Sequence, residues 1–311
     1  MGAEVPRPRV SVVIPCHDQG HLLPDAVRGV SARTAHVEIV VVDDGSTDHT
    51  ALVARGLRDV MLIRQNRGGI AAAMNRGLRA ALSDYVVFLH PTDRLLPGGI
   101  DAGVRAMAAN PECVMAYGRC MTIGSDGQLW PAPDVPTVRS GHHAALLHTN
   151  LIWTPAAAIF RREAVAAIGG FRTGFDGAAD YDLYLRLSRD GAIHDHGRPV
   201  AACRRRPGSW SGAADRMLRD TLAVMHSNRP DSDAALCSAW HDGYRAWQDV
   251  YGAELADEVW AHVHGHAFPD AGRKLLMLAW LAPRTFVGEL GRALRRGYTA
   301  TAGPPRKAVT R

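Results

Sequence analysis

The sequence predicts an α/β fold, a mostly parallel sheet with helices on its faces, followed by a helical C-terminal extension. Three observations carry this. Short runs rich in Val and Ile alternate with helix-length segments through the first hundred residues, the pattern of βαβ units. The runs are continuous in polarity, as expected of strands covered on both faces. After Asp215 the runs stop and only helical spacing remains.

The elements follow in order. Residues 10–15 form a β-branched strand halted by Pro15, and 22–32 read as a helix before a second strand at 37–42. Asp44-Gly45-Ser46 turns the chain, and Ser46 or Thr47 caps a helix containing 51–57. A third strand occupies 60–63. Gly68-Gly69 then opens a helix of small residues reaching 81, and a fourth strand lies at 85–89. Beyond Pro97 come a helix to 109 and a strand at 114–119. Residues 120–150, irregular in Gly, Pro and Asp, read as loops over the site. A strand or loop at 157–160, a helix at 162–168 and an ordered segment at 175–187 complete the first domain, placed at 1–212. The extension, 213–311, carries Trp240, Tyr244 and Trp247 at helical spacing, read as a helix core. Its tail from Arg284 holds Arg292, Arg295, Arg296, Arg306, Lys307 and Arg311 and is expected to end loosely attached.

At 311 residues, with 47% hydrophobic and 22% charged, the chain can bury one large core. Its five cysteines, Cys16, Cys113, Cys120, Cys203 and Cys237, are scattered without CxxC spacing, which argues against a disulfide framework or a structural zinc site. No apolar run opens the sequence, and residues 275–282 fall far short of the ~20 needed to cross a bilayer. A cytoplasmic protein is expected. The net charge of +5 suits anionic ligands, such as nucleoside diphosphates or an anionic membrane surface. No basic motif interleaved with aromatics is apparent, so no nucleic-acid partner is expected.

Four signatures end or follow strands: Val10-Ser-Val-Val-Ile-Pro15, Val40-Val-Val-Asp43-Asp44-Gly45-Ser46-Thr47-Asp48, the Asn66–Asn75 stretch with Gly68-Gly69, and Phe88-Leu89-His90-Pro91-Thr92-Asp93. In an open α/β sheet that edge is where ligands bind. A carboxylate there can accept from a base N–H or a ribose hydroxyl. A glycine pair before a helix lets backbone approach an anion. Two later segments join them, Gly177-Ala-Ala179-Asp180-Tyr-Asp-Leu and Arg204-Arg205-Arg206-Pro-Gly-Ser209.

Taken together, these segments resemble the inverting glycosyltransferases of the GT-A fold, family 2, over roughly residues 8–212. The resemblance implies transfer of a sugar from a UDP-, GDP- or dTDP-linked donor to a hydroxyl on a glycan, lipid-linked or small-molecule acceptor. It implies Pro15 and Asp44 against the base with Asp43 nearby, Gly69 close to the nucleoside, Thr92 and Asp93 beside the donor, and Asp180 as the general base. Such a base must be ionised and within reach of the acceptor hydroxyl.

The chain departs from the family pattern where members carry Asp-x-Asp-Asp and this sequence has His90-Pro91-Thr92-Asp93; Ala179 likewise replaces an acid before Asp180. Three routes remain open. Asp93 with His90 retains a weakened site for Mn²⁺ or Mg²⁺, which favour oxygen ligands. Arg94, Arg204, Arg205 and Arg206 neutralise the diphosphate without metal. Or the chain is a catalytically silent binding or scaffold protein in a glycan or secondary-metabolite pathway. His262, His264 and His266 could suggest metal, but a solvated or packing role is the simpler reading; His142 and His143 read as loop histidines. The apolar and basic tail could form an amphipathic helix on an anionic membrane or pack on the catalytic domain.

Overall fold

The computed structural model describes residues 9–31, 37–124, 127–132, 135–204 and 214–299. Its strands are β1 (Val10–Cys16), β2 (Val37–Asp44), β3 (Val60–Gln65), β4 (Tyr85–Phe88), β5 (Arg94–Leu95), β6 (Cys113–Ile123), β7 (Leu129–Pro131), β8 (Ala158–Arg161) and β9 (Ala192–Arg204). They form one sheet in the order β3-β2-β1-β4-β8-β6-β9-β5, with β7 paired to β6. The half containing β3, β2, β1 and β4 is parallel, as is the β6–β9 pair. Strand β8 runs antiparallel between β4 and β6. All seven residues of β1 are buried, which is why its polarity does not alternate.

Helices α1 (Leu23–Ser31), α2 (Thr50–Gly56), α3 (Ile70–Ala80), α4 (Gly99–Ala109), α5 (His142–His148), α6 (Arg162–Ala167) and α7 (Ala179–Asp190) surround the sheet. The small-residue pattern of α3 has a direct cause. A Cβ on Gly77 would stand 2.2 Å from Val13 Cγ1, so only glycine lets the helix approach β1 this closely. The expected start of α1 is a short 3₁₀ turn at Gly20–Leu22. The expected cap of α2 is also displaced. Thr50 begins that helix, and Asp48 Oδ1 accepts from Thr50 N at 2.8 Å, so neither Ser46 nor Thr47 caps it. The segment 120–150 is more ordered than a loop. It holds the end of β6, its hairpin partner β7 and α5, because β6 continues to pair with β9 as far as Ile123.

The extension is helical: α8 (Ala214–Ser227), α9 (Ala234–His264), α10 (Phe268–Leu281) and α11 (Pro283–Thr299). Val224, Met225 and Trp240 join the main core, whereas Ala214, Leu218, Leu222, Leu255, Ala256, Leu278 and Ala282 form a second one. Trp240 is buried, stacks on Tyr244 with centroids 5.1 Å apart and donates to Met225 O. The aromatic stripe is therefore packing. The tail beyond Arg284 remains helical to Thr299; Arg306, Lys307 and Arg311 lie outside the described residues. Among the described residues, no helix is long and apolar enough to cross a membrane.

Candidate active site at the strand ends

The parallel strands end together, and their last residues build a rigid cradle. Asp43 and Asp44 close β2 opposite Arg64 and Gln65 of β3. Successive strand residues point to opposite faces, so the two acids do different work. Asp43 is fully buried; its Oδ2 accepts from Arg64 Nε at 2.8 Å and its Oδ1 from Ser46 N at 2.9 Å. Asp44 Oδ1 accepts from Gln65 Nε2 (2.7 Å) and Gly68 N (2.8 Å), and its Oδ2 from Gly69 N (2.9 Å). Asp44 thus ties the end of β2 to the glycine pair. Gly69 has φ +89, and a Cβ there would meet Asp176 Oδ2 at 2.4 Å. Pro15 is buried in β1 in register with Val42, one residue before this turn.

Asp18, just past β1, locks the same turn from outside. Its Oδ1 accepts from Thr47 N at 2.7 Å and Asp48 N at 3.2 Å, while Asp18 N donates to Ser46 Oγ. The Thr47 N–H holds its carboxyl below the usual carboxylate range. His17 Nδ1 donates to Asp44 O at 2.9 Å in the complementary tautomer.

The second half of the site gathers around the turn after β4. Asp93 N donates to His90 O at 2.9 Å, closing a turn from His90 to Asp93. The Asp93 carboxylate is buried and accepts from Thr154 Oγ1 (2.5 Å) and Thr92 Oγ1 (3.0 Å). Asp180 stands in the first turn of α7, where the helix N-terminus favours negative charge, and accepts from Tyr181 N at 2.8 Å. Burial nevertheless raises its pKa; the charge of His90 and the Tyr181 N–H oppose the rise, and Asp93 adds to it. His90, Asp93 and Asp180 therefore share one electrostatic environment, although they come from segments nearly ninety residues apart. Tyr184, one turn along α7, is buried against Asp180; burial, with the charge of Asp180 and a hydrogen bond to it, pushes the phenol pKa well above its usual range.

The family model for glycosyl transferase family 2 matches residues 11–169, just over half of the chain. The chain belongs to glycosyl transferase family 2. As a family 2 chain it is 33% identical over 190 residues to the O-antigen biosynthesis protein RfbC of Myxococcus xanthus, covering 58% of this chain and 14% of that protein. It is 30% identical over 206 residues to the uncharacterized protein MT1568 of Mycobacterium tuberculosis, covering 60% and 64%. The matched part thus spans less than two thirds of either relative. Two solved structures share the fold of this family 2 chain. TarS of S. aureus in complex with UDP-GlcNAc has a TM-score of 0.59 at 16% identity, covering 79% of this chain and 80% of that one. The mannosyltransferase PcManGT of Pyrobaculum calidifontis, in complex with GDP-Man and Mn²⁺, has a TM-score of 0.60 at 18% identity, covering 93% and 88%. The fold is therefore GT-A.

Within it, Asp43, Asp44 and Gly69 meet at the ends of the parallel strands with Pro15 just before the turn, and His90, Thr92, Asp93 and Asp180 gather around the turn after β4. The arginines separate. Arg94 opens β5, its stem against α1, where a Cβ on Gly29 would lie 3.0 Å from Arg94 Cγ. Arg204 ends β9 in register with Ile123, and Arg205 and Arg206 lie outside the described residues. For a divalent ion the donor set is sparse. Both Asp93 oxygens already accept from hydroxyls, and the described residues contain no group of three or more metal-ligating side chains. These residues do not fit a cage made by the protein itself.

Sequence reading missed Asp18, Thr154, Asp176 and Tyr184. Thr154 had a signal, since Thr before Pro155 favours a cap, and its Oγ1 accepts from Ala156 N at 3.4 Å. Tyr184 had one too, four residues past Asp180 on the same helix face. Asp176 had none, because only the folded loop lays it over Gly69.

Proposed function

We propose that this chain transfers a sugar from a nucleoside-diphosphate donor to an acceptor hydroxyl with inversion at the anomeric carbon. The observation that carries the reading is the contact of Asp176 with Gly69, which lays the loop just before Asp180 over the strand-end cradle, with His90 and Asp93 acting on the same Asp180 carboxylate. Asp44 and Pro15 lie against the base, Asp43 holds the turn, and Gly69 gives the backbone room to approach the nucleoside. Asp180 takes the acceptor proton. The acceptor oxygen then attacks the anomeric carbon from the face opposite the diphosphate, and the bonding pair of the breaking C–O bond leaves on the diphosphate. His90 and Thr92, with Arg94 and Arg204 as further candidates, supply the positive charge and donors that the leaving group requires. UDP-, GDP- and dTDP-linked sugars all suit the cradle. The acceptor is a glycan, a lipid-linked sugar or a small molecule.

Asp180→Asn tests this. It keeps the size of the side chain and removes the base, so nucleotide binding stays near that of the native protein while transfer is lost. Full transfer by the variant would sink the assignment. A second reading, binding without transfer, is favoured by the occupied Asp93 oxygens and the absence of a neighbouring acid at His90. It expects native donor binding and no turnover with any acceptor.

A further inference from the structure

The α10–α11 pair presents an unusual surface. Helix α10 turns Ala271, Lys274 and Leu278 inward, leaving Leu275, Leu276 and Trp280 outside. On α11, Val287 and Leu290 are exposed as well. Trp280 is 79% exposed, Leu276 74% and Val287 64%. Of the thirteen exposed large hydrophobics among the described residues, six lie on these two helices. Isolated exposed apolar residues are ordinary, but a cluster of this kind marks a contact surface.

Charge identifies the partner. Residues 283–311 contain seven basic residues and one acid, Glu289, so this end alone holds a larger positive excess than the whole chain's +5. Glu289 is engaged by Trp260 Nε1 at 3.2 Å and by Arg292. Beside the apolar face, Arg284, Thr285, Gly288 and Arg292 line an open cleft of about 430 Å³ whose single acid is Asp249 of α9. Gly288 leaves the space between the arginines clear, with nothing within 4 Å of where its Cβ would stand. Two guanidinium groups beside a hydroxyl match the oxygens of a phosphate. Apolar side chains next to them suit the boundary between headgroups and acyl chains, and neither helix is apolar enough to span a membrane.

We propose that the α10–α11 face docks on an anionic lipid bilayer, with Leu276, Trp280 and Val287 entering the apolar boundary and Arg284 and Arg292 taking headgroup phosphates. This holds whichever sugar the strand-end site transfers, because the face is built by different residues.

The test is flotation of the full chain with vesicles of phosphatidylcholine alone and of phosphatidylcholine mixed with phosphatidylglycerol. The chain floats with the mixed vesicles at low salt, stays behind with the neutral ones and is released by high salt. Two surface variants, Leu276→Ser with Trp280→Ser and separately Arg284→Glu, each weaken the association about tenfold or more while keeping the native thermal midpoint. Equal flotation on neutral vesicles, no flotation at all, or flotation unchanged in both variants overturns the proposal. So does a dimer that Trp280→Ser dissolves and that leaves vesicle binding absent, since a second copy then covers the face.

Discussion

Gly177 donates its backbone N–H to Asp220 Oδ2 at 3.1 Å, which ties the loop before Asp180 to helix α8 of the extension. Nearby, Trp247 Nε1 of α9 donates to Tyr181 Oη at 3.3 Å, and that hydroxyl donates to Leu146 O at 2.6 Å. The extension is thus a brace behind the proposed base. A Cβ at Gly177 would stand 3.0 Å from Met217 Sδ and 3.1 Å from Asp220 Oδ2, so the approach leaves little slack.

Asp220→Ala is expected to lower kcat by about 10- to 100-fold through misplacement of Asp180 and to leave nucleotide affinity nearly unchanged. Asp220→Asn retains an acceptor for Gly177 N and recovers most of the rate. Steady-state kinetics beside nucleotide titration separates the two effects. A variant that loses affinity and rate together would assign Asp220 a purely structural role.

Burial raises the Asp180 pKa, so folding favours its protonated form. That contribution to stability is fully present below the unfolded value of about 3.9 and is lost as pH rises through the folded pKa. Activity runs the other way, because the base must be ionised. The acid limb of kcat/KM is therefore expected above pH ~4. His90 lowers the Asp180 pKa, so His90→Ala should move that limb to higher pH. A limb that stays put in His90→Ala would remove His90 from the base's environment.

Gly69→Ala is expected to weaken nucleotide binding and to cost about 1–3 kcal/mol of stability, from its φ of +89 and the collision with Asp176. Gly98 provides the control. It has φ +75 but open space around a Cβ, so Gly98→Ala carries only the backbone cost of about 1–2 kcal/mol and leaves binding intact. Denaturant unfolding and calorimetry report both.

Asp195 of β9 anchors the segment around Val138 to the sheet. Its oxygens accept from Arg119 Nη1 at 2.7 Å and Nη2 at 2.9 Å, and from Val138 N at 3.3 Å. Burial opposes its ionisation, but the Arg119 hydrogen bond and charge outweigh it and hold its pKa low. Asp195→Ala leaves Arg119 half desolvated and is expected to destabilise the chain by about 3–5 kcal/mol. Because the folded pKa is depressed, the native pair's contribution is present above about 3.9 and fades as pH falls through the folded value. Melting curves of both proteins from neutral to acidic pH would show the gap closing.

The parallel half of the fold was legible because β1 and β2 carry continuous Val and Ile runs that fit only a strand buried on both faces. The cradle was legible because Asp43 and Asp44 end the β2 run and the Gly68-Gly69 pair stands directly before α3. Two kinds of feature were not. The strand after Arg119 was hidden because β6 passes through Gly118 and polar residues whose pairing is set by β9, far along the chain. The closing of Asp176 onto Gly69 and the brace from Asp220 are contacts between segments whose approach depends on the packed loop. Local pattern carries no record of such approaches.

The most direct test of the account is calorimetric titration of the native chain, Asp180→Asn and Asp44→Ala with UDP-, GDP- and dTDP-linked sugars, each in Mn²⁺ and in EDTA. One donor is expected to bind the native chain and Asp180→Asn alike and to be lost in Asp44→Ala. Binding that persists in EDTA assigns diphosphate neutralisation to the chain's own cations, whereas binding only with Mn²⁺ assigns it to an ion shared by Asp93 and the donor. Failure of every donor to bind the native chain in both conditions would contradict the account.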